Sequence, residues 1–375
     1  MASLGNSWEF FPICEYNGYF AASVNINIPP IVSDGVVYTG SSHSAYNKPR
    51  IQKIHALDIV TGNEIRNWKF SEEVSSSHTS LTFADGVLFI LFNYGRKVAA
   101  LMVNNETPTW DWSPPDGGYI KSLLVNDGKV YLTTQVPAGL NYTPVIVYTL
   151  SCATGIETQP SVTLQGIGGS PPSFANGTVF VTTHNKWEGG VYVSVPGKVH
   201  AFGSMNWSNQ ITDNDYYPPV VSNGLVFVQD SGYFVGSKII FALDANNGVK
   251  KWEFNCGENL RTPFSVAEEL VCAGTDTKIF GINTICNGSS PSAWQYNVES
   301  GFYPNALIIS YGQTYGLLSN GSSTKIIILR NIDGKEQSNI VLTNQNITFP
   351  IIASGKLIGI VRNSSGTTGI KALMP

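Results

Sequence analysis

Residues 31–70 read IVSDGVVYTGSSHSAYNKPRIQKIHALDIVTGNEIRNWKF, and this stretch decides the fold. A short apolar run leads through an Asp-Gly turn into a second strand, VVYTG. A loop and a third strand, IHALD, follow, and a Thr-Gly turn leads to an outer strand that ends in Trp-Lys-Phe. Asp-Gly turns between alternating apolar runs are the strongest short-range signal for a hairpin. The stretch therefore predicts one antiparallel sheet of four short strands.

The remaining sequence is largely this unit repeated with decay. A turn followed by a strand occurs eight times, at intervals of 42 to 51 residues, and a third-strand segment similar to HALD follows each turn. The turns begin at Asp34, Asp85, Asp127, Asn176, Asn223, Glu268, Tyr311 and Ser354. Repeats of this length are typical of propeller blades or solenoid units.

The two ends of the chain complement each other. The eighth unit ends at KALMP without an outer strand, and the N-terminus supplies the missing segment as Trp8-Glu9-Phe10. We therefore expect a strand at about residues 6–11 to complete the last sheet and close the ring, which leaves only short outer edges unpaired. The prediction is an all-β chain, with residues 1–375 forming a single eight-bladed β-propeller domain.

The pattern DGxVY…ALDxxTGxxxW resembles the pyrroloquinoline-quinone (PQQ) type repeat of quinoprotein dehydrogenases and of BamB-like outer-membrane assembly scaffolds. The resemblance extends over nearly the whole chain, and it is closer to the cofactor-free BamB-like members. Because this repeat serves both enzymes and scaffolds, it implies a fold more strongly than a function. It also implies that an outer-strand Trp docks on the neighbouring blade. By this assignment blades 3, 4 and 7 have no such Trp. The residues given this role are Trp8, Trp68, Trp252 and Trp294, with Trp110 or Trp112 in blade 2.

Composition and charge exclude some partners and favour an extracellular location. The net charge is −4 and no run of Lys or Arg occurs, which argues against nucleic acid as a partner. No apolar run reaches the ~18 residues of a membrane span. No signal peptide is visible in MASLGNSWEFF, but eight Asn-x-Ser/Thr sequons occur. The sequons predict a secreted or cell-surface glycoprotein, and the missing leader keeps a cytoplasmic location as the alternative.

Metal and cofactor signals are weak. The five cysteines show no CxxC motif and no Cys/His ligand spacing, so we predict no zinc site, and their pairing stays open. Many of the quinone enzymes carry adjacent cysteines and calcium-binding carboxylates, whereas this chain has no Cys-Cys pair and few acidic residues where the inner strands begin. We predict no cofactor, with PQQ and calcium as the alternative.

The residues at which the innermost strands begin are the first candidates for a site, because they surround the mouth of a propeller channel. They combine a His, a Lys, an Arg, an Asp and several tyrosines. The competing interpretation is that any such ring in a Tyr- and Asn-rich chain looks similar, and that Asp215 and Arg261 only form an ion pair. The candidate catalytic residues are His78, Lys121, Arg261 and Tyr303, and the candidate ligand-binding residues are Tyr119, Asp215, Tyr216 and Asn305.

Long loops between the second and third strands of blades 3 to 5 open on the same face. Their aromatic side chains suit sugar rings, through apolar contact and hydrogen bonds. Alternatively, Trp187 and Tyr192 only fold their own loop onto the propeller. The loop residues proposed to bind ligand are His184, Trp187, Tyr192 and Tyr233.

Two pairs of polar residues belong to the repeat itself. His55 and His200 share one third-strand position, which predicts a structural role. Asp58 and Asp244 precede hairpin turns, where a carboxylate can accept hydrogen bonds from backbone N–H groups.

The functional hypothesis is a non-catalytic propeller that binds a small molecule, a glycan or a protein through the channel rim and the long loops of blades 3 to 5. The alternative is an enzyme with acid/base or lyase-type chemistry at the channel mouth. A PQQ-dependent dehydrogenase is the less favoured enzyme, and an absence of catalysis is favoured over both.

Overall fold

The computed structural model describes residues 7–15, 19–20, 22–48, 50–71, 80–92, 95–138, 141–142, 144–164, 166, 168–183, 186–188, 191–193, 197–211, 218–232, 236–285, 291, 293–362 and 366–374. Within these ranges the regular secondary structure consists of β-strands, with no α-helix.

The strands are numbered in chain order, beginning with the N-terminal β1 (Trp8–Phe10). Blade 1 contains β2 (Ser23–Ser33), β3 (Val36–Ser44), β4 (Ile51–Asp58) and β5 (Glu64–Ser71). Blade 2 contains β6 (Leu81–Ala84), β7 (Val87–Phe92), β8 (Lys97–Met102) and β9 (Trp110–Trp112). Blade 3 contains β10 (Tyr119–Asn126), β11 (Lys129–Gln135), β14 (Val145–Ser151) and β15 (Glu157–Leu164), with the loop hairpin β12 (Pro137–Ala138) and β13 (Asn141–Tyr142) between them. Blade 4 contains β16 (Ser173–Ala175), β17 (Thr178–Thr183), β20 (Lys198–Gly203) and β21 (Trp207–Gln210), with the loop hairpin β18 (Lys186–Glu188) and β19 (Val191–Val193).

The second half of the chain continues in the same order. Blade 5 contains β22 (Val220–Ser222), β23 (Leu225–Gly232), β24 (Gly236–Asp244) and β25 (Lys250–Asn255). Blade 6 contains β26 (Ser265–Ala267), β27 (Leu270–Gly274), β28 (Lys278–Asn283) and β29 (Ala293–Asn297). Blade 7 contains β30 (Tyr303–Ser310), β31 (Gln313–Ser319), β32 (Thr324–Arg330) and β33 (Glu336–Leu342). Blade 8 contains β34 (Asn346–Ala353), β35 (Lys356–Arg362) and β36 (Thr368–Leu373).

Each blade is a four-stranded antiparallel sheet, and the eight blades form a β-propeller, as the repeats predict. The fourth strand of blade 8 comes from the other end of the chain, because its sheet order is β1-β36-β35-β34. Trp8 pairs with Ala372 and Phe10 pairs with Ile370. The expected closure by the N-terminal strand is therefore confirmed.

The first turn of each blade begins with the same left-handed backbone conformation. The residue that begins it has a positive φ in all eight blades, from Asp34 at 50° to Ser354 at 50°. Asn, Asp and Gly tolerate this left-handed conformation best, so Asx-Gly is the preferred turn. Glu268 and Tyr311 adopt it too, at φ 55° and 49°, although neither residue type favours it.

The chain divides into two compact units, which are described separately. Unit 1 comprises Met1–Tyr94, Leu101–Pro108 and Glu299–Pro375, and unit 2 comprises Gly95–Ala100 and Thr109–Val298. One core cluster of unit 1 packs β1 between blades 8 and 1, with Trp8, Leu57 and Ile358 among its buried members. In unit 2, clusters such as that of Phe180 and Val226 fill the space between blades 4 and 5. Whether residues 1–375 behave as one domain stays a prediction.

Outer-strand tryptophans connect neighbouring blades within each unit. In unit 1 the indole N–H of Trp8 donates to the Ile59 carbonyl at 2.9 Å, and that of Trp68 donates to the Asn105 carbonyl at 2.8 Å. In unit 2 the same hydrogen bond joins Trp110 to Cys152 at 2.8 Å, Trp207 to Ala245 at 2.9 Å, and Trp252 to Thr284 at 3.3 Å. Each indole thus meets the next blade at the end of its third strand or in the turn that follows.

One tryptophan expectation was wrong, and one open alternative is resolved. Blade 4 does have a docking tryptophan, Trp207, so the expectation that it lacks one was wrong. The segment Trp207–Gln210 lacks the second aromatic residue on which the sequence assignment depended. In blade 2, Trp110 makes the indole hydrogen bond, whereas the ring of Trp112 lies 5.1 Å from that of Tyr148. Trp294 packs over Gly281 of its own blade.

The turn glycine of the next blade makes this docking possible. A Cβ placed on Gly248 would lie 2.5 Å from the Trp207 ring, and one on Gly62 would lie 2.5 Å from the Trp8 ring. Any side chain at these positions would displace the indole. The Gly of this third turn is therefore required by the tryptophan of the preceding blade as well as by its own positive φ, 73° at Gly248.

Candidate functional site

Several predicted site residues lie outside the described residues. These are His78, Asp215, Tyr216, His184 and Tyr233. Trp187 and Tyr192 are described only as backbone partners in the β18–β19 hairpin. The strands β13 and β18 pack side by side, so the long loops of blades 3 and 4 meet in unit 2. Ligand binding by these residues stays a prediction.

Two of the described rim candidates of unit 2, Tyr119 and Arg261, already have partners. The Arg96 guanidinium lies 4.3 Å from the ring centre of Tyr119 and donates a hydrogen bond to its hydroxyl at 2.5 Å. Arg261 forms an ion pair with Asp276 at 2.7 Å, and both side chains are about half exposed. Lys121 is exposed. A rim ion pair such as Arg261–Asp276 contributes little to stability.

In unit 1 the candidates Tyr303 and Asn305 lie on β30, the innermost strand of blade 7, and both are exposed. The register of β30 shifts between Pro304 and Ala306, so Asn305 lies in a β-bulge. Lys121 lies in an equivalent bulge of β10. Because a bulge redirects a side chain, sequence alternation cannot assign the direction of either residue.

A chain of polar side chains that sequence analysis missed lies in blade 1. Ser41 Oγ is 2.7 Å from His43 Nε2 and 2.6 Å from His55 Nε2, and His55 Nδ1 is 2.5 Å from Glu64 Oε1. Ser41 and His43 are fully buried, and His55 is nearly so. A signal existed, because Ser41 and His43 lie two residues apart on one face of β3, and Lys53 and His55 on the neighbouring β4 share that face.

The N-terminal segment covers this chain. The Glu15 N–H donates to His43 Nδ1 at 3.2 Å, and the Glu15 carboxylate pairs with Lys53 and, at 3.0 Å, with Lys69. Hydrogen bonds from the two lysines lower the pKa of Glu15 to about 2. Burial, with Lys53 nearby, lowers the pKa of His43 to about 4. The hydrogen bond from His55 is the main cause that lowers the pKa of Glu64.

The arrangement of Ser41, His55 and Glu64 is similar to a Ser-His-acid triad, but it cannot act as one in this conformation. A cavity of about 480 Å³ is lined by residues 10–15, Lys53, His55 and Glu64, and the fully buried Ser41 is not part of its lining. A nucleophile must reach the substrate carbonyl carbon. The geometry therefore supports a structural role for this chain.

The repeat histidines and aspartates behave as the sequence predicts. His200 Nε2 lies 2.9 Å from the Thr183 hydroxyl, inside blade 4. The Asp58 carboxylate accepts N–H hydrogen bonds from Val60 and Thr61, which contributes to the lowering of its pKa. Asp244 accepts the Asn246 N–H in the same way. The predicted capping by Asp58 and Asp244 is confirmed, and the hydrogen bond of His200 agrees with a structural role.

Exposed apolar side chains mark the turns between third and outer strands. In unit 2 they occur in four consecutive blades, where Ile156 is 68%, Val249 57%, Ile285 56% and Met205 36% exposed. Unit 1 has Val60, Ile332 and Met374 at or next to the corresponding position. In an antiparallel four-stranded sheet the first and third turns lie at the same end. These residues therefore lie on the face opposite the predicted rim, where sequence analysis placed no site.

Metal and membrane sites have no support among the described residues. No three His, Cys, Asp or Glu side chains within the described ranges could hold a metal ion together. The described part of the chain also contains no helix long and apolar enough to cross a membrane.

Comparisons with known proteins add to the geometry. Residues 146–308 match the family model described as outer membrane protein assembly factor BamB. The match contains Ile156, Met205, Val249 and Ile285. A comparison with curated protein sequences gives no match.

Solved structures share the fold at low identity. BamB from Moraxella catarrhalis has a TM-score of 0.60 and 11% identity, over 93% of this chain and 98% of that chain. The computationally designed Ika8 protein has a TM-score of 0.63 and 13% identity, over 94% and 98% of the two chains. Apo AztD from Citrobacter koseri has a TM-score of 0.52 and 10% identity, over 83% and 85%. At such identities the likeness shows the fold alone.

Proposed function

The repeats of this chain are of the PQQ type and BamB-like, and from this premise we propose that the protein is a non-catalytic, protein-binding scaffold. The observation that carries the proposal is the series of exposed apolar side chains on four consecutive third turns of unit 2. A contiguous apolar patch on a folded protein is typical of interaction sites, whereas single exposed apolar residues are ordinary, and we propose that these four neighbouring turns form one such patch. The partner we propose is a protein segment that covers these turns with its own apolar side chains.

The rigidity of the blades supports a scaffold role. Each third turn is tied to the first turn of its own blade, since the Cys152 N–H donates to the Gly128 carbonyl at 2.8 Å and the Ala245 N–H donates to the Gly224 carbonyl at 2.9 Å. The tryptophan of the preceding blade bonds to Cys152 and Ala245 from the other side. A surface held in this way loses little conformational entropy on binding.

We propose an extracytoplasmic location for the scaffold. The eight sequons support this location, and so does the match to a family described as an outer membrane protein assembly factor. Glycan binding through the loops of blades 3 to 5, and an active site at the channel mouth, remain alternative hypotheses. Both alternatives require the face that carries the rim and the long loops. The protein-binding proposal requires the opposite face, here called the third-turn face, which carries the turns between the third and outer strands.

Photo-crosslinking distinguishes the two faces. A photoreactive amino acid is placed at Ile156 on the third turn of blade 3, and in a second variant at Lys121 on its innermost strand. Both variants are expressed in the natural host and irradiated, and crosslinked proteins are identified by mass spectrometry. We expect a defined protein adduct from position 156 and a weaker one, or none, from position 121. An adduct from position 121 only, or no adduct from either position, would overturn the proposal.

A further inference from the structure

We propose that the seam between the first and last blades is a pH-sensitive clasp, in which protonation of His43 releases the N-terminal segment Phe11–Glu15. This segment follows β1, the strand that completes blade 8, and crosses onto blade 1. It is tied to blade 1 by the Glu15 N–H, which donates to His43 Nδ1 at 3.2 Å, by the Cys14 thiol, and by the Glu15 carboxylate.

The hydrogen bonds fix the direction of every proton in the chain. His43 Nδ1 accepts from the Glu15 N–H, so neutral His43 carries its proton on Nε2 and donates it to Ser41 Oγ. The Ser41 hydroxyl then donates to His55 Nε2, and His55 donates from Nδ1 to Glu64 Oε1. Each imidazole nitrogen in the chain has one role, and Ser41 Oγ both accepts from His43 and donates to His55. An additional proton on either imidazole therefore has no acceptor within the chain.

Protonation of His43 would place an N–H on Nδ1, opposite the N–H of Glu15. The amide would lose its acceptor, and two donors would face each other inside a fully buried site. The charged groups around His43 add to the effect. Lys53 on β4 and Lys69 on β5 disfavour a cation, as does His55 on β4, whereas Glu15 favours it and Ser41 on β3 is neutral. Two lysines against one carboxylate leave the surroundings positive.

The magnitude follows from the difference between the closed and open states. With the pKa of His43 at about 4 in the closed state and its ordinary value of 6.5 once the segment opens, the opening constant rises about 30-fold between pH 7.5 and pH 5. Since Glu15 keeps its charge over this range, its ion pairs with Lys53 and Lys69 oppose the opening equally at each pH and add nothing to the pH dependence. Protonation of His43 therefore raises the population of the open segment, and the blades stay folded.

Cys14 reports the opening. Its thiol donates to the Ser23 carbonyl at 3.3 Å and is partly buried in the closed segment. The rate of thiol labelling is measured from pH 7.5 to pH 4.5 with an aromatic disulfide that reacts in acid. Each rate is divided by that of a free peptide of the same sequence, and sites are resolved by peptide mass spectrometry. Cys256, which is buried in unit 2, reports global unfolding.

Three variants make the test specific. His43→Asn places an amide oxygen where Nδ1 lies and does not titrate, so its labelling should be nearly independent of pH. His43→Phe removes the acceptor, so Cys14 should label fast at every pH. His200→Asn alters a buried histidine of unit 2 and should keep the wild-type pH dependence.

We expect normalised labelling of Cys14 to rise at least tenfold from pH 7.5 to pH 5 in the wild-type protein, while Cys256 stays protected. A rise of less than threefold would overturn the clasp. An equal rise in His43→Asn would show that another group is responsible. Labelling of Cys256 in step with Cys14 would show that the whole fold opens, which also contradicts the proposal.

Discussion

The contact between Trp207 and Gly248 allows a sharp test of how blades are joined. Gly248 has a φ of 73°, and a Cβ there would lie 2.5 Å from the Trp207 ring. Gly224, in the same blade, also has a φ of 73°, but a Cβ there would meet nothing within 4 Å. Gly224→Ala therefore measures the cost of the backbone conformation alone, and Gly248→Ala adds the displacement of the indole.

The expected free energies follow from these contacts. Placing Ala in the left-handed region costs about 1 kcal/mol. Displacing Trp207 removes its hydrogen bond to the Ala245 carbonyl, about 1 kcal/mol, and part of its packing on Phe180, about another 1 kcal/mol. Gly224→Ala should thus lower the free energy of unfolding by about 1 kcal/mol and Gly248→Ala by about 3 kcal/mol.

Urea denaturation of both variants measures these values, with the same m-value as the wild-type protein showing that the comparison is valid. Repeating Gly248→Ala in a Trp207→Ala background completes a double-mutant cycle. There the cost should fall to that of Gly224→Ala. If Gly248→Ala costs no more than Gly224→Ala, or if its excess cost survives the loss of Trp207, the indole does not join the blades as described.

Three further predictions concern stability. Tyr311→Asn should raise the free energy of unfolding by about 0.5–1 kcal/mol in urea titrations, because Asn tolerates the φ of 49° and the Tyr311 side chain is 85% exposed. A lower free energy of unfolding in this variant would refute the strain argument. Ser41→Ala should cost about 1–3 kcal/mol, because His43 Nε2–H loses its acceptor, and a neutral result would contradict the described chain. The pKa of His43 is lowered to about 4 in the folded protein, against 6.5 when unfolded, so the unfolded state binds the proton first as the pH falls. The free energy of unfolding should therefore fall by about 3 kcal/mol between pH 7.5 and pH 4, and His43→Asn should reduce this loss.

The fold could be predicted because its signals are local and repeated. An Asx-Gly turn requires a particular φ, and the eight turns recur at nearly constant spacing, so the blades and the closure of the last blade by the N-terminal strand follow from the sequence. Trp207 was missed because the assignment from sequence required a second aromatic residue in the outer strand, whereas the docking depends on Gly248, 41 residues later in the next blade. A motif within one blade does not contain that contact.

The site could be predicted less well for three physical reasons. Lys121 and Asn305 lie in β-bulges, which remove the simple alternation that assigns a side chain to a face. The chain from His43 to Glu64 depends on the register of β3, β4 and β5 and on a loop from the N-terminus. The exposed apolar residues of the third turns are separated by more than 30 residues, and their common face is evident only once the blades are assembled.

The measurement that tests the scaffold proposal most directly is a binding titration with the partner identified by crosslinking at position 156. The purified partner is titrated against the wild-type protein, against Val249→Asp on the third-turn face, and against Lys121→Ala on the rim. The proposal predicts that Val249→Asp raises Kd at least tenfold with an unchanged Tm, and that Lys121→Ala leaves Kd unchanged. Equal Kd values for the wild-type protein and Val249→Asp, or a loss only in Lys121→Ala, would contradict it.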